Sequence, residues 1–167
     1  MSFIPEDGAG LPNANSYIGL EFADAYFSDR ANAEWSALAP EAKEQSLIRA
    51  TDYIDRRFRF IGQPLKLDQA LQFPRQGLGL PANLLKATCE YALRASAGPL
   101  APDPTASDPL DPNGRGVASY TKTVGPLTTS ISYFDKNGAT VNFFPSYPEA
   151  DALLKDLIMT NQGRVIR

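Results

Sequence analysis

The sequence predicts a mainly α-helical protein, with a core of three to four helices that carries a β-hairpin extension and a C-terminal helix or arm. Three observations predict it. Apolar residues recur at spacings of three and four between residues 20 and 98, a stretch near residue 130 switches to strict alternation, and a run rich in Pro, Gly and Asp separates the two patterns. A chain of 167 residues suits a single domain of ordinary size. Its expected parts are an N-terminal arm (1–19), the helical core (20–98), a linker (99–116), the hairpin (117–145) and a C-terminal helix with its tail (146–167).

The arm is rich in Gly, Pro and Asn, and the first short helix follows it from Leu20 to Phe27, with Phe22, Ala25 and Tyr26 on one face. Pro40 opens a second helix that the pattern carries to about Phe60, where Gly62 and Pro64 stop it. Leu47, Ala50, Ile54 and Phe58 form its buried stripe. Residues 61–80 hold so many glycines and prolines that packing of Leu71 and Phe73 has to fix the loop. A third helix starts at Pro81, with a stripe of Leu85, Cys89, Ala92 and Ser96 flanked by Leu84, Thr88 and Tyr91, and Gly98 and Pro99 end it.

From Pro99 to Gly116 there is too little apolar surface to offset the entropy of ordering, so this segment is expected to be an exposed linker. Beyond it Leu127, Thr129, Ile131 and Tyr133 alternate with polar residues. Asn137-Gly138 offers a tight turn, and Thr140 to Phe144 a return strand. Pro148 opens a last helix, from Glu149 to about Thr160, with Leu153, Leu154, Leu157 and Ile158 on one face and a basic tail after it. A hairpin and an amphipathic helix beyond a linker read as elements that seek partners.

Composition narrows the chemistry. A formal net charge of -3 and a pI near 5.0 disfavour a dedicated duplex-DNA binder, whose affinity comes from clustered surplus cations. The chain contains no histidine, which excludes Ser-His-Asp and Cys-His catalysis and most zinc sites. One cysteine cannot form an internal disulfide, and neither a signal peptide nor a membrane span is legible, so synthesis in a cytoplasm is expected.

Four patterns resemble chemistry. Gly77-Leu78-Gly79-Leu80-Pro81-Ala82 has dinucleotide-fingerprint spacing, but no buried strand precedes it and Pro81 removes an amide that should face a pyrophosphate. Asp111 to Gly116 opens like a calcium loop, yet Arg115 and Lys122 stand at ligand positions. Cys89 lies on an apolar stripe with no base to activate it, and Asp24, Asp52, Asp55 and Asp151 lack clustered spacing and read as solvated faces. Arg56-Arg57-Phe58-Arg59-Phe60 mixes cations with aromatics as a single-strand platform does, although a dipole-complementing helix end explains it more simply. No enzymatic activity, metal or cofactor is expected.

A set of ordered stretches resembles a known family. They are Asn15-Ser16-Tyr17-Ile18 followed by Glu21 to Arg30, Trp35, Leu47 to Asp55 with Phe60-Ile61-Gly62, then Leu71-Gln72-Phe73-Pro74-Arg75, the helix from Pro81, and Lys122-Thr123-Val124-Gly125-Pro126-Leu127 leading to Ser132-Tyr133. Together they resemble small tailed-phage proteins described either as head-tail connectors (adaptors) or as DnaT-like single-stranded-DNA-binding proteins. Phe73 stands where the family pattern has Trp, which keeps the apolar anchor and loses the indole donor.

The resemblance implies a structural virion subunit of the neck. It would form a dodecameric ring between the portal protein and a downstream stopper or tail-terminator protein, with DNA only passing through the lumen and no membrane contact. In that reading Leu153, Leu154, Leu157, Ile158, Arg164 and Arg167 dock on the portal, while Leu127, Ile131, Tyr133, Val141 and Phe143 contact a neighbouring subunit or the tail. The alternative is a single-stranded-DNA-binding protein that works through Arg56, Arg57 and Arg59.

Overall fold

A computed structural model describes residues 2–101, 117–123, 128–133 and 146–159. In chain order the elements are α1 (Leu20–Ser28), α2 (Ala33–Ser36), α3 (Pro40–Arg57), α4 (Ala82–Ala97), β1 (Val117–Thr123), β2 (Thr128–Tyr133) and α5 (Pro148–Leu154). The described residues are mainly helical. They divide into two units, Met1–Leu100 with Ser146–Arg167 and Ala101–Pro145. Among the described residues no helix is long and apolar enough to cross a membrane.

In the first unit α3 and α4 pack together, with the stripe Leu47, Ala50 and Ile54 fully buried, as its spacing requires. Pro40 occupies the first turn, where its fixed φ suits the helix and its missing N–H costs no bond. The helix ends at Arg57 rather than Phe60, because Phe58 turns to extended backbone (φ -108°, ψ 152°) and Phe60 forms an antiparallel bridge with Ile158. On α4 the buried face is Leu84, Ala87, Thr88, Tyr91, Ala92 and Ala95 with Cys89, whereas Leu85 and Ser96 are only half-buried. The core thus lies on the side expected to flank the stripe. Both neighbours of α4 contribute to this, since it packs against α3 and against α5.

Sequence patterning missed α2. Its four residues are held by Asn32, whose side chain accepts from the Trp35 amide at 2.8 Å and caps the turn. That turn places Trp35 in a stack with Phe27, ring centroids 4.7 Å apart, while the indole N–H donates to Asp24.

The N-terminal arm also belongs to the core. Ser16, Tyr17 and Ile18 are buried, and Glu6, itself 6% exposed, accepts from the amides of Gly8, Gly10 and Leu11. A carboxylate that collects three otherwise unpaired amides fixes a Gly-rich segment that composition alone leaves loose. In the 61–80 loop Phe73 is fully buried as expected, with its ring edge-on to Phe60 at 4.9 Å, and Leu71 is half-buried.

The second unit holds an antiparallel pair, β1 with β2, in which Tyr120 faces Ile131 and Thr123 faces Thr128. Sequence alternation paired residues 127–133 with 140–144 through Asn137-Gly138. The described partner of β2 is β1, and the expected turn and return strand lie outside the described residues, as does almost all of the expected linker.

The last helix differs most from expectation. α5 ends at Leu154, not near Thr160, and it is packed in the chain's own core: Ala150 and Leu154 are fully buried and Leu157 is 9% exposed. Its amphipathic face has its partner within the molecule, on α4.

Candidate nucleic-acid interface

The Arg56 to Phe60 segment is placed by two different backbone geometries. Arg56 and Arg57 sit in the last turn of α3, where cations complement the negative end of the helix dipole. From Phe58 onward the chain is extended, so successive side chains point to opposite faces. Phe58 and Phe60 therefore turn inward, half-buried and 1% exposed respectively, while Arg59 and Ile61 turn out. The C-terminal segment fixes this alternation. Ile61 donates its amide to Leu157 at 2.9 Å and Met159 donates to Arg59 at 2.8 Å.

The cations have unequal freedom. Arg57 donates to the Tyr53 hydroxyl at 2.6 Å, pairs with Asp151 at 3.0 Å and lies over the Phe58 ring. Asp151 also accepts from the Tyr91 hydroxyl and the Tyr147 amide, so Arg57 is part of the joint that holds α5. Burial, followed by the hydrogen bond to Asp151, pushes the Tyr91 phenol well above its ordinary range and keeps it a donor. Arg56, by contrast, has a side chain 80% exposed and only a 3.5 Å contact with Asp52, and Arg59 is also exposed. The expected five-residue platform is thus divided. Arg56 and Arg59 face solvent, whereas Arg57 and Phe60 serve the fold.

Beside this segment an open groove of about 470 Å³ is lined by Phe58, Pro148, Asp151, Ala152, Lys155 and Ile158. Its lining is mainly apolar and includes the half-buried Phe58, with Lys155 as an exposed cation and Asp151 as an acid. A groove of this composition can take a flat base or an apolar side chain. No sequence signal pointed to it, because its walls come from segments about 90 positions apart.

Of the residues expected to dock on a portal, Leu154 and Leu157 are buried in the chain's own core, Leu153 is half-buried, and Ile158 forms a groove wall. Arg164 and Arg167 lie outside the described residues. So do Leu127, Val141 and Phe143, while Ile131 and Tyr133 occupy β2 opposite Tyr120 and Val117.

Of the acids read as solvated faces, Asp52 is exposed as expected, whereas Asp24, Asp55 and Asp151 are better described as structural acceptors. Asp24 takes the Trp35 indole and the Lys43 ammonium, and Asp55 takes the Tyr17 hydroxyl and the Gln72 amide. Among the described residues no group of three or more His, Cys, Asp or Glu could hold a metal ion. Gly77 and Gly79 adopt positive φ (76° and 58°) in a tight loop bridged to Arg75, with no strand leading into it. That geometry suits a turn and not a dinucleotide cradle.

Cys89 is fully buried on α4, and burial pushes its thiol up to about 12. A thiol reagent at pH 8 is expected to leave the native protein unlabelled and to label it only in denaturant. Prompt labelling of the folded chain would contradict this placement.

No curated protein and no solved structure matches the chain. A family model described as "Putative DnaT-like ssDNA binding protein" matches residues 1–167. The chain belongs to that DnaT-like family over its full length.

Proposed function

We propose that this protein binds single-stranded DNA without catalysing a reaction, using Arg56, Arg59 and Lys155 with the groove floored by Phe58. The observation that carries the reading is the family match over the whole chain, whose description names single-stranded DNA and no enzymatic activity. The geometry supports it in part, by leaving those cations exposed near an apolar groove that includes an aromatic ring. With few cations at the site on a chain of net charge -3, binding is of modest affinity and falls with salt at a shallow slope. Replacing both Arg56 and Arg59 with Ala should weaken binding of a labelled oligonucleotide by roughly tenfold at low salt and make the salt dependence shallower. Arg57→Ala should instead lower stability, because it leaves Asp151 without its cation. Unchanged affinity in the double variant would remove these residues from the interface.

A second reading, the head-tail connector subunit, is favoured by the acidic balance of the chain and by the hairpin. Channel walls that pass DNA should not hold it, and a two-stranded sheet is marginal in water without a partner. In this reading the protein sits in the virion neck as a ring between portal and tail. Its portal contact would have to use surface other than Leu154 and Leu157. Co-sedimentation with portal-bearing heads in the absence of oligonucleotide binding would favour it.

A further inference from the structure

Asp55 stands immediately before Arg56 on α3, and its carboxylate is held in the joint between three segments. The Tyr17 hydroxyl of the N-terminal arm donates to one oxygen, and the Gln72 amide of the 61–80 loop donates to the other at 3.1 Å. The carbonyl of the same residue accepts from the Gln72 side chain at 2.7 Å and from the exposed Arg59 guanidinium at 3.5 Å. Gln72 also reaches the Phe58 carbonyl at 2.9 Å, and its own side-chain oxygen accepts from Arg75 at 3.2 Å. One residue therefore carries a half-buried acid and, on its carbonyl, one of the two arginines assigned above to phosphate.

The charged and titratable groups around this acid are few. They are Tyr17 on the arm, Asp52 on α3 with its partner Arg56, Arg59 one turn later, and Arg75 in the loop. Among the described residues its carboxylate has no ion pair, and both of its donors, a phenol and a backbone amide, are neutral. A carboxylate held without a counter-ion tends to keep its proton, and burial pushes this one up to about 6, where a modest change of surroundings switches its charge. Phosphates at Arg56 and Arg59 make such a change, because added negative charge favours the protonated acid. By linkage, protonation then favours the phosphates by the same factor. We propose that Asp55 is the proton-linked regulator of the nucleic-acid site: a strand that binds at Arg56 and Arg59 draws a proton onto Asp55, and affinity rises as pH falls from neutral to mildly acidic. This inference rests on the single-stranded-DNA reading above. The coupling is carried by charge and needs no rearrangement, since Gln72 and Arg59 hold the Asp55 carbonyl whichever state the carboxyl adopts. Between unit charges one to two helical turns apart near a protein surface, it is worth about a fivefold change in affinity.

The test uses the full chain and a labelled single-stranded oligonucleotide at constant ionic strength between pH 5 and pH 7.5. Asp55→Asn keeps an acceptor and removes the charge, so it should bind about fivefold more tightly than the wild type at pH 7.5 and equally near pH 5. A gain of affinity at neutral pH separates this role from a merely structural one, which would lower affinity. Calorimetry in two buffers of different ionisation enthalpy should show the wild type taking up about 0.4 proton on binding near pH 6, and Asp55→Asn should take up none. Equal affinities at pH 7.5, weaker binding by Asp55→Asn, or no proton uptake by the wild type would overturn the proposal and leave the DNA reading standing. Absence of binding by both chains at every pH would remove the DNA reading and this inference together.

Discussion

Removing residues 146–167 is expected to unfold the helical unit rather than to release a tail from it. The segment contributes Ala150 and Leu154, both fully buried, and Leu157, and its Asp151 gathers the Tyr91 hydroxyl, the Arg57 guanidinium and the Tyr147 amide. Loss of one buried leucine to alanine costs about 2–5 kcal/mol, while a whole domain has only about 5–15 kcal/mol of stability. Leu154→Ala alone should lower the unfolding free energy by that first amount in urea, and the truncation should leave no cooperative transition. Met159→Ala, at a side chain 59% exposed, should change it by less than about 0.5 kcal/mol. A truncated chain with the wild-type midpoint would show that α5 is an independent arm.

The second large effect concerns pH. Asp55 accepts from the Tyr17 hydroxyl and the Gln72 amide, and so ties the N-terminal arm and the 61–80 loop to α3. Burial pushes its carboxyl from the ordinary 3.8 up to about 6, with nearby Asp52 adding to the rise and the hydrogen bonds and Arg75 opposing it. The folded state then holds this proton more tightly than the unfolded chain does. Its protonation supports the fold below about pH 4, and that support is lost as pH rises through 6. About two units correspond to roughly 3 kcal/mol.

Other carboxylates impose their own acid dependence, so the comparison is with Asp55→Asn, which keeps an acceptor and carries no charge. The stability of the wild type relative to this variant should fall by about 2 kcal/mol between pH 4 and pH 7. A difference that does not change with pH would contradict the burial of the charge.

What could be read from the sequence was whatever local periodicity decides. Leu47, Ala50 and Ile54 repeat at helical spacing and are buried, and Pro40 marks the helix start it was expected to mark. The end of α3 was not legible, since Phe58 to Ile61 become extended only because Leu157 and Met159 pair with them from across the chain. Periodicity likewise showed that the last helix has one apolar face, but it cannot say whether the core that face meets is foreign or the chain's own. The Arg56 to Phe60 cluster was recognisable as composition. Its division into outward cations and inward rings needed the backbone geometry of each residue. The acceptors Asp24 and Asp55 carry no spacing signal, because their donors Trp35, Lys43, Tyr17 and Gln72 come from four separate segments.

The most direct test of single-stranded-DNA binding is a salt titration of the wild-type chain with a labelled single-stranded oligonucleotide. If Arg56, Arg59 and Lys155 meet phosphates, the logarithm of affinity should fall linearly with the logarithm of salt, with a slope of about -2, and Arg56→Ala with Arg59→Ala should bring that slope to about -0.7. No binding at the lowest salt, or binding indifferent to salt and to both arginines, would contradict the account and leave the connector reading in its place.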